Sequence, residues 1–463
     1  MNLTNVIFSK ALLPGPRSHQ FGFDLFKQSK DDYLGHVDRL KAEFGDIVIS
    51  QVVHEKVVDI HHPELIRQLL VDNADALIRW ERGIDVFSKL HGQSVLITEG
   101  ETWKRQRRML QPGFSGKRMA DYSLLMCRAS EVAFKDLPST AVIQLDFLHW
   151  AHQLTMDVIL QTLFGGSQTS MLTPTLRDNA INAVSIMSKI GMQEIFWPFS
   201  APDWMPHKAA KRQAKEVLDG IINSHIQLRR TQLENGDAPA NDVLGMLLSV
   251  RDESGDASAL SDSEIHDQCM TIFLAGHDTT ATALTWWAWL IATHPLIAQR
   301  AAAQVDEVLQ GKAPSYDDVA RLPYLNSTLK EALRLYPPAS ALMSRRTLRD
   351  VQLGDWTIPK GAMVRVTPWA VHRDARWFVQ PLRFDPDRFD AEQAPMHRHS
   401  FMPFGTGPRA CIGSQFAMTE MTLIAAGLLQ HFSLHACTMP VPKFDLLLSP
   451  AGAEPLQLIR RSA

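Results

Sequence analysis

The chain of 463 residues carries four cysteines and a formal net charge of −3, with 45% hydrophobic and 21% charged residues. These fractions exclude a disordered, collagen-like or coiled-coil chain, and the balanced charge gives no footprint for nucleic acid. Four cysteines in so long a chain cannot build a disulfide framework, which points to a reducing compartment. Eleven tryptophans and 21 phenylalanines suffice for a large core and an apolar ligand cavity.

Met1 to Lys10 lacks a basic head followed by an apolar run, so no secretory peptide is expected. The most apolar helical run, Ala281 to Ala292, falls short of the roughly 20 residues that span a bilayer. A cytoplasmic protein with no membrane anchor follows as the expectation. In chain order, β-branched runs at Ile47–Val53 and Val57–Ile60 predict strands. Pro206–Leu233 reads as a long polar helix and Asn241–Val250 as a short one, with turns marking much of Glu234–Ser263. Ser261 followed by Glu264 is a capping box that opens a helix reaching about Thr293, where His294-Pro295 stops it. Further strands are expected at Val351–Ile358 and Met363–Thr367, and a helix at about Ser414–His431. The fold class is mainly α (α+β): a single domain over 1–463, with a β-rich part mainly from about 40–70 and 345–370.

The segment from Phe404 to Gly413, FGTGPRACIG, fits F-x-x-G-x-R-x-C-x-G at all five fixed positions. Its glycines and proline make a stiff loop able to approach a flat ligand closely. The helix that opens just beyond Cys411 would stabilise a thiolate through its free N–H groups and tune its donation to a metal. Cys127, Cys269 and Cys437 lie in apolar or helical contexts and are expected in core packing. Glu331 and Arg334, spaced i,i+3, share a helix face. Asp278 beside Thr279, an acid next to an alcohol, is suited to proton delivery, and Thr279 can bond back to the carbonyl of Ala275. Trp103 and Arg107, spaced i,i+4, can donate together to one anion.

Taken in order along nearly the whole chain, these segments resemble the cytochrome P450 family of haem-thiolate monooxygenases. Glu331–Arg334 is similar to the family's E-x-x-R, and Ala275–Thr280 (AGHDTT) to its A-G-x-D-T-T. Phe384–Phe389 (FDPDRF) is similar to its P-E-R-F segment, with Asp387 where glutamate is usual, and Trp103–Arg107 to its W-x-x-x-R. The resemblance implies a P450-like fold and haem b (iron protoporphyrin IX) with Cys411 as thiolate axial ligand and metal ligand. Phe404, Gly413 and Ala275 would lie against the haem. Trp103, Arg107, Arg409 and Arg345 would serve its propionates, with Arg346 able to replace Arg345. Glu331, Arg334 and Arg388 would form a buried charge network beneath the cysteine loop, and Asp278 and Thr279 would be catalytic. The substrate pocket it implies draws on Ile84, Val86, Phe87, Val95, Phe196, Leu274, Leu342 and Met343, whose apolar character suits an apolar small-molecule substrate.

No flavin or nicotinamide fingerprint such as G-x-G-x-x-G after a strand is found, so electrons are expected from a ferredoxin- or flavodoxin-type donor with its reductase, dioxygen being the other substrate. The basic cluster Lys104, Arg105, Arg107, Arg108, Lys117 and Arg118 reads either as a solvated face or as a docking surface for that donor. A monomer is expected. Two other readings stay open: a peroxide-driven haem-thiolate peroxygenase, against which the Asp278–Thr279 pair argues, and a non-catalytic haem-binding gas sensor.

Overall fold

The computed structural model describes residues 13–17, 22–165, 173–195, 205–252, 258–390, 396–452 and 454–461. The chain divides into two compact units. The first comprises Met1–Gly83, Ala339–Leu382 and Pro395–Cys411, and the second comprises Ile84–Pro338, Arg383–Ala394 and Ile412–Ala463.

The first unit is built on a five-stranded sheet in the order Ile47–Val52, Glu55–Ile60, Met363–Val366, Arg345–Thr347, Leu77–Arg79. The first two strands form an antiparallel hairpin, and the second pairs in parallel with Met363–Val366, more than 300 residues on. Val58, Ile60, Val364 and Val366 fill one apolar cluster with Ile66, Leu69, Val351 and Ile358. The β-branched run Val351–Ile358 is not one strand. It folds as a hairpin, Val351–Leu353 against Trp356–Ile358, because Gly354 takes φ +53° at the turn.

The second unit is mainly helical. The capping box at Ser261 and Glu264 is present, and the helix it opens runs from Asp262 to Thr293. From Thr280 to Ala292 every residue of this central helix is buried, as expected of a helix apolar on all sides. Gly276 lets the helix Phe147–Phe164 come close: a β-carbon there would lie 2.7 Å from Ile159 Cδ1. Trp286 stacks on Tyr336 and donates its indole N–H to the Leu448 carbonyl at 2.6 Å, while Trp287 donates to Thr328 at 2.9 Å. Each of these two buried tryptophans thus finds a polar partner for its one donor. A small sheet pairs Leu456–Arg460 with both Val142–Leu145 and Phe432–His435. Among the described residues, no helix is long and apolar enough to cross a membrane.

Candidate active site

In the first unit, the loop 404–411 is held from several sides. Cys411 N–H donates to the Phe404 carbonyl at 2.8 Å, and Ala410 N–H to the Gly407 carbonyl at 3.0 Å. Gly405 and Gly407 have φ of +73° and +77°, a backbone that L side chains rarely adopt. Buried His372 accepts the Met402 N–H at 2.9 Å, and His399 bonds the Thr406 hydroxyl at 2.9 Å. The loop ends on Cys411, which is exposed and forms no disulfide. Of the other cysteines, Cys269 is buried and Cys127 partly so, and burial pushes both thiols up. Cys437 does not pack in the core: it is exposed just beyond the strand Phe432–His435, outside any regular element.

The neighbouring arginines of this unit are sorted by their partners. Arg346 is clamped by Glu55 at 2.6 Å and by Glu81 at 2.9 Å, so it is committed to its own sheet. Arg345 instead donates to the backbone carbonyls of Met343 and Ser344. Arg409 is half-buried, and Leu342 packs on the unit's apolar cluster with Met343 next to it in the chain.

In the second unit, Glu331 and Arg334 form a two-point ion pair at 2.7 and 2.8 Å, with both side chains wholly buried. Arg388 Nε donates to the same Glu331 oxygen at 3.2 Å, and the Asp385 N–H adds a third donor at 3.0 Å. The structure therefore brings Glu331, Arg334 and Arg388 together. Asp387 lies outside this network, in an exposed pair with Arg300 at 2.7 Å.

The middle of the central helix has an open stretch. Ala275 is exposed and Thr279 half-buried, whereas Phe273, Leu274, His277 and Thr280 are buried. Thr279 Oγ1 donates to the Ala275 carbonyl at 2.8 Å and Thr280 to that of Gly276 at 3.0 Å. Such back-bonding loosens the helix ladder locally. Asp278 is half-buried, and burial raises its carboxyl above the usual range. Two histidines face it: His277 Nε2 at 3.2 Å and, from the helix Phe147–Phe164, His152 Nδ1 at 3.5 Å. Burial lowers His152 to about 4 and His277 to about 3, so both rings are neutral. Sequence reading did not find His152, because its partner Asp278 is 126 residues distant and its own helix shows no motif. It also missed Glu420, whose carboxyl is wholly buried beside Thr280 and pushed well above its ordinary value.

Trp103 and Arg107 sit half-buried on the helix Gly100–Leu110. The basic cluster around them is not a free positive face. Lys104 pairs with Glu101 at 2.7 Å, Arg105 with Glu264, and Arg108 with Asp252 at 3.1 Å. Val86 and Leu274 are buried, Ile84, Phe87 and Val95 half-buried, and Phe196 lies outside the described residues.

The Cytochrome P450 family model matches residues 13–456. The chain is 33% identical over 431 residues to cyclooctatin synthase of Streptomyces melanosporofaciens, covering 90% of this chain and 88% of that protein. It is 32% identical over 404 residues to the cyclooctat-9-en-7-ol 5-monooxygenase of the same organism, covering 86% and 83%. A mammalian relative, cytochrome P450 4F3 of Rattus norvegicus, is 30% identical over 468 residues, covering 95% and 87%. With a family match across nearly its whole length, the chain belongs to the cytochrome P450 family and is a haem-thiolate monooxygenase, with cysteine-ligated haem b as its cofactor and an organic substrate, dioxygen and a redox partner as its reactants.

Proposed function

We propose that Cys411 is the thiolate that holds the haem iron, and the loop that ends on it carries this reading. An exposed cysteine that forms no disulfide closes a loop whose two left-handed glycines fix its backbone. The residues present fit a flat cofactor: a β-carbon at Gly413 would meet no protein atom within 4 Å, and Ala275 is exposed on the central helix between buried Leu274 and His277. When bound, haem b supplies the reduction of dioxygen and the transfer of one oxygen atom to the substrate.

The chain's own residues then take distinct parts. Phe404 and Gly413 flank the ligand cysteine. Trp103, Arg107, Arg409 and Arg345 donate to the propionates, Arg345 rather than Arg346 because the latter is already held by two carboxylates. Glu331, Arg334 and Arg388 stiffen the second unit. Asp278, its carboxyl raised by burial, relays a proton inward and Thr279 passes it on, its hydroxyl bonded to the Ala275 carbonyl.

The substrate is an apolar or long-chain molecule bound by Ile84, Val86, Phe87, Val95, Phe196, Leu274, Leu342 and Met343. The relative named for oxidising cyclooctat-9-en-7-ol supports this class. Electrons come from a ferredoxin- or flavodoxin-type donor with its reductase, and residues 1–463 act as one monomeric cytoplasmic domain. Reduced protein under carbon monoxide should show the strongly red-shifted band of thiolate ligation, and Cys411→His should abolish it. A normal band in that variant would refute the ligand assignment. Product should form with dioxygen and reduced donor, and equal product from hydrogen peroxide alone would make the enzyme a peroxygenase.

A further inference from the structure

The side chains of His152, His277 and Asp278 offer three ligand atoms that all lie within 4.8 Å of one another. His277 Nε2 is 3.2 Å and His152 Nδ1 3.5 Å from the same oxygen, Asp278 Oδ1. A tetrahedral zinc ion with bonds of 2.0–2.1 Å sets its ligand atoms about 3.3 Å apart, so little movement is needed to close the set around a cation. The rings are already crossed at 81° with centroids 5.2 Å apart. Thr155, on the helix of His152, ties the two helices together here by donating to the His277 carbonyl at 3.2 Å.

A second observation points to a missing partner. His277 is 1% exposed, and neither of its ring nitrogens makes a hydrogen bond to any described residue. A buried polar group without a bond is costly, and Nε2 is aimed at the acid without the geometry to donate to it. An ion between them would satisfy that nitrogen. His152, with 26% of its side chain exposed, gives the cluster an access path from solvent.

We propose that His152, His277 and Asp278 form a binding site for a divalent transition metal of the zinc class, and that its occupancy withdraws Asp278 from proton delivery. Two imidazoles and one carboxylate select zinc, copper or nickel over magnesium and calcium, which take oxygen donors. The regulatory half rests on the role given to Asp278 above. The metal competes for the oxygen from which the proton would leave, so a bound ion slows turnover without displacing haem or substrate.

The test uses untagged holoenzyme, stripped with chelator and dialysed against micromolar Zn²⁺, with bound zinc measured by atomic emission. Wild type should hold about one zinc per chain, and His152→Ala and His152→Asn should bind it at least about tenfold more weakly at unchanged haem content. Turnover should fall in proportion to occupancy in wild type and stay insensitive to zinc in both variants. Zinc binding no tighter in wild type than in the variants overturns the site. Full occupancy with unchanged turnover overturns the regulation, and the fault then lies with the role of Asp278, which Asp278→Asn checks in zinc-free buffer.

Discussion

Gly407 passes so close to Leu70 that a β-carbon on it would lie 2.2 Å from the Leu70 carbonyl oxygen, and its φ of +77° excludes most side chains in any case. The glycine at 413 differs: its φ is −90°, and no protein atom lies within 4 Å of where a β-carbon would be. Gly407 is demanded by the protein's own backbone, whereas no protein atom and no backbone strain demands a glycine at 413.

Gly407→Ala should therefore damage the loop itself, with a lower melting temperature even in protein prepared without haem. Gly413→Ala should fold with wild-type stability before haem is added and then load haem poorly. Haem titration of the two apoproteins checks this pair, and normal loading of Gly413→Ala would remove Gly413 from the cofactor site.

Glu331→Ala leaves Arg334 buried without its carboxylate, which should destabilise the fold by about 3–5 kcal/mol. Asp387→Ala breaks only the exposed pair with Arg300 and should cost under about 1 kcal/mol. Urea unfolding of both variants measures the contrast. Similar losses would mean that the pattern of charge, rather than burial, sets the energy here.

Thr279→Ala removes the hydroxyl that donates to the Ala275 carbonyl and should leave haem content and substrate binding nearly intact, since Ala275 beside it is already exposed. Electron consumption should continue while product per electron pair drops, with a matching rise in released hydrogen peroxide. Asp278→Asn should instead slow turnover itself, because the acid is lost. Wild-type coupling in Thr279→Ala would exclude this threonine from proton delivery.

Glu420 gives a pH signature. Its carboxyl is raised by burial in the folded state and ordinary in the unfolded chain. The folded protein therefore holds a proton that the unfolded chain releases once pH passes the ordinary carboxylic value near 4.3. Stability from this group is complete below that value and is lost as pH rises, by up to about 1.4 kcal/mol per pH unit until the folded pKa is reached. Glu420→Gln should flatten that fall, so the variant should gain on wild type between pH 5 and 8 in urea unfolding. Parallel curves would mean the carboxyl is ionised in the fold.

What could be read from the chain follows how local each signal is. The box at Ser261 and Glu264 marks a helix start within four residues, and the central helix lies where it was expected. The Phe404–Gly413 pattern carries its own turn chemistry, and its loop shows the two left-handed glycines. The strand Leu456–Arg460 went unread because so short a run becomes a strand only by pairing, on one side with Phe432–His435 and on the other with Val142–Leu145, over 300 residues away. Val351–Ile358 misled because β-branched residues on both sides of Gly354 look alike in a straight run and in a hairpin. Arg105 and Arg108 looked like a free basic face for the same reason that His152 was overlooked: Glu264, Asp252 and Asp278 are neighbours only in space.

The capping carboxylate of the central helix has two employers. Glu264 Oε2 accepts the Ser261 N–H at 2.9 Å, while Oε1 takes Arg105, on the helix that carries Trp103 and Arg107. Helices fray first at their ends, and here the end cannot fray without letting go of a second helix. The first turn of the longest helix is thereby fastened rather than merely finished. Glu264→Asp, one methylene shorter, would have to choose between the two attachments, so loosening of the cap and drift of Trp103 and Arg107 would come as a single event.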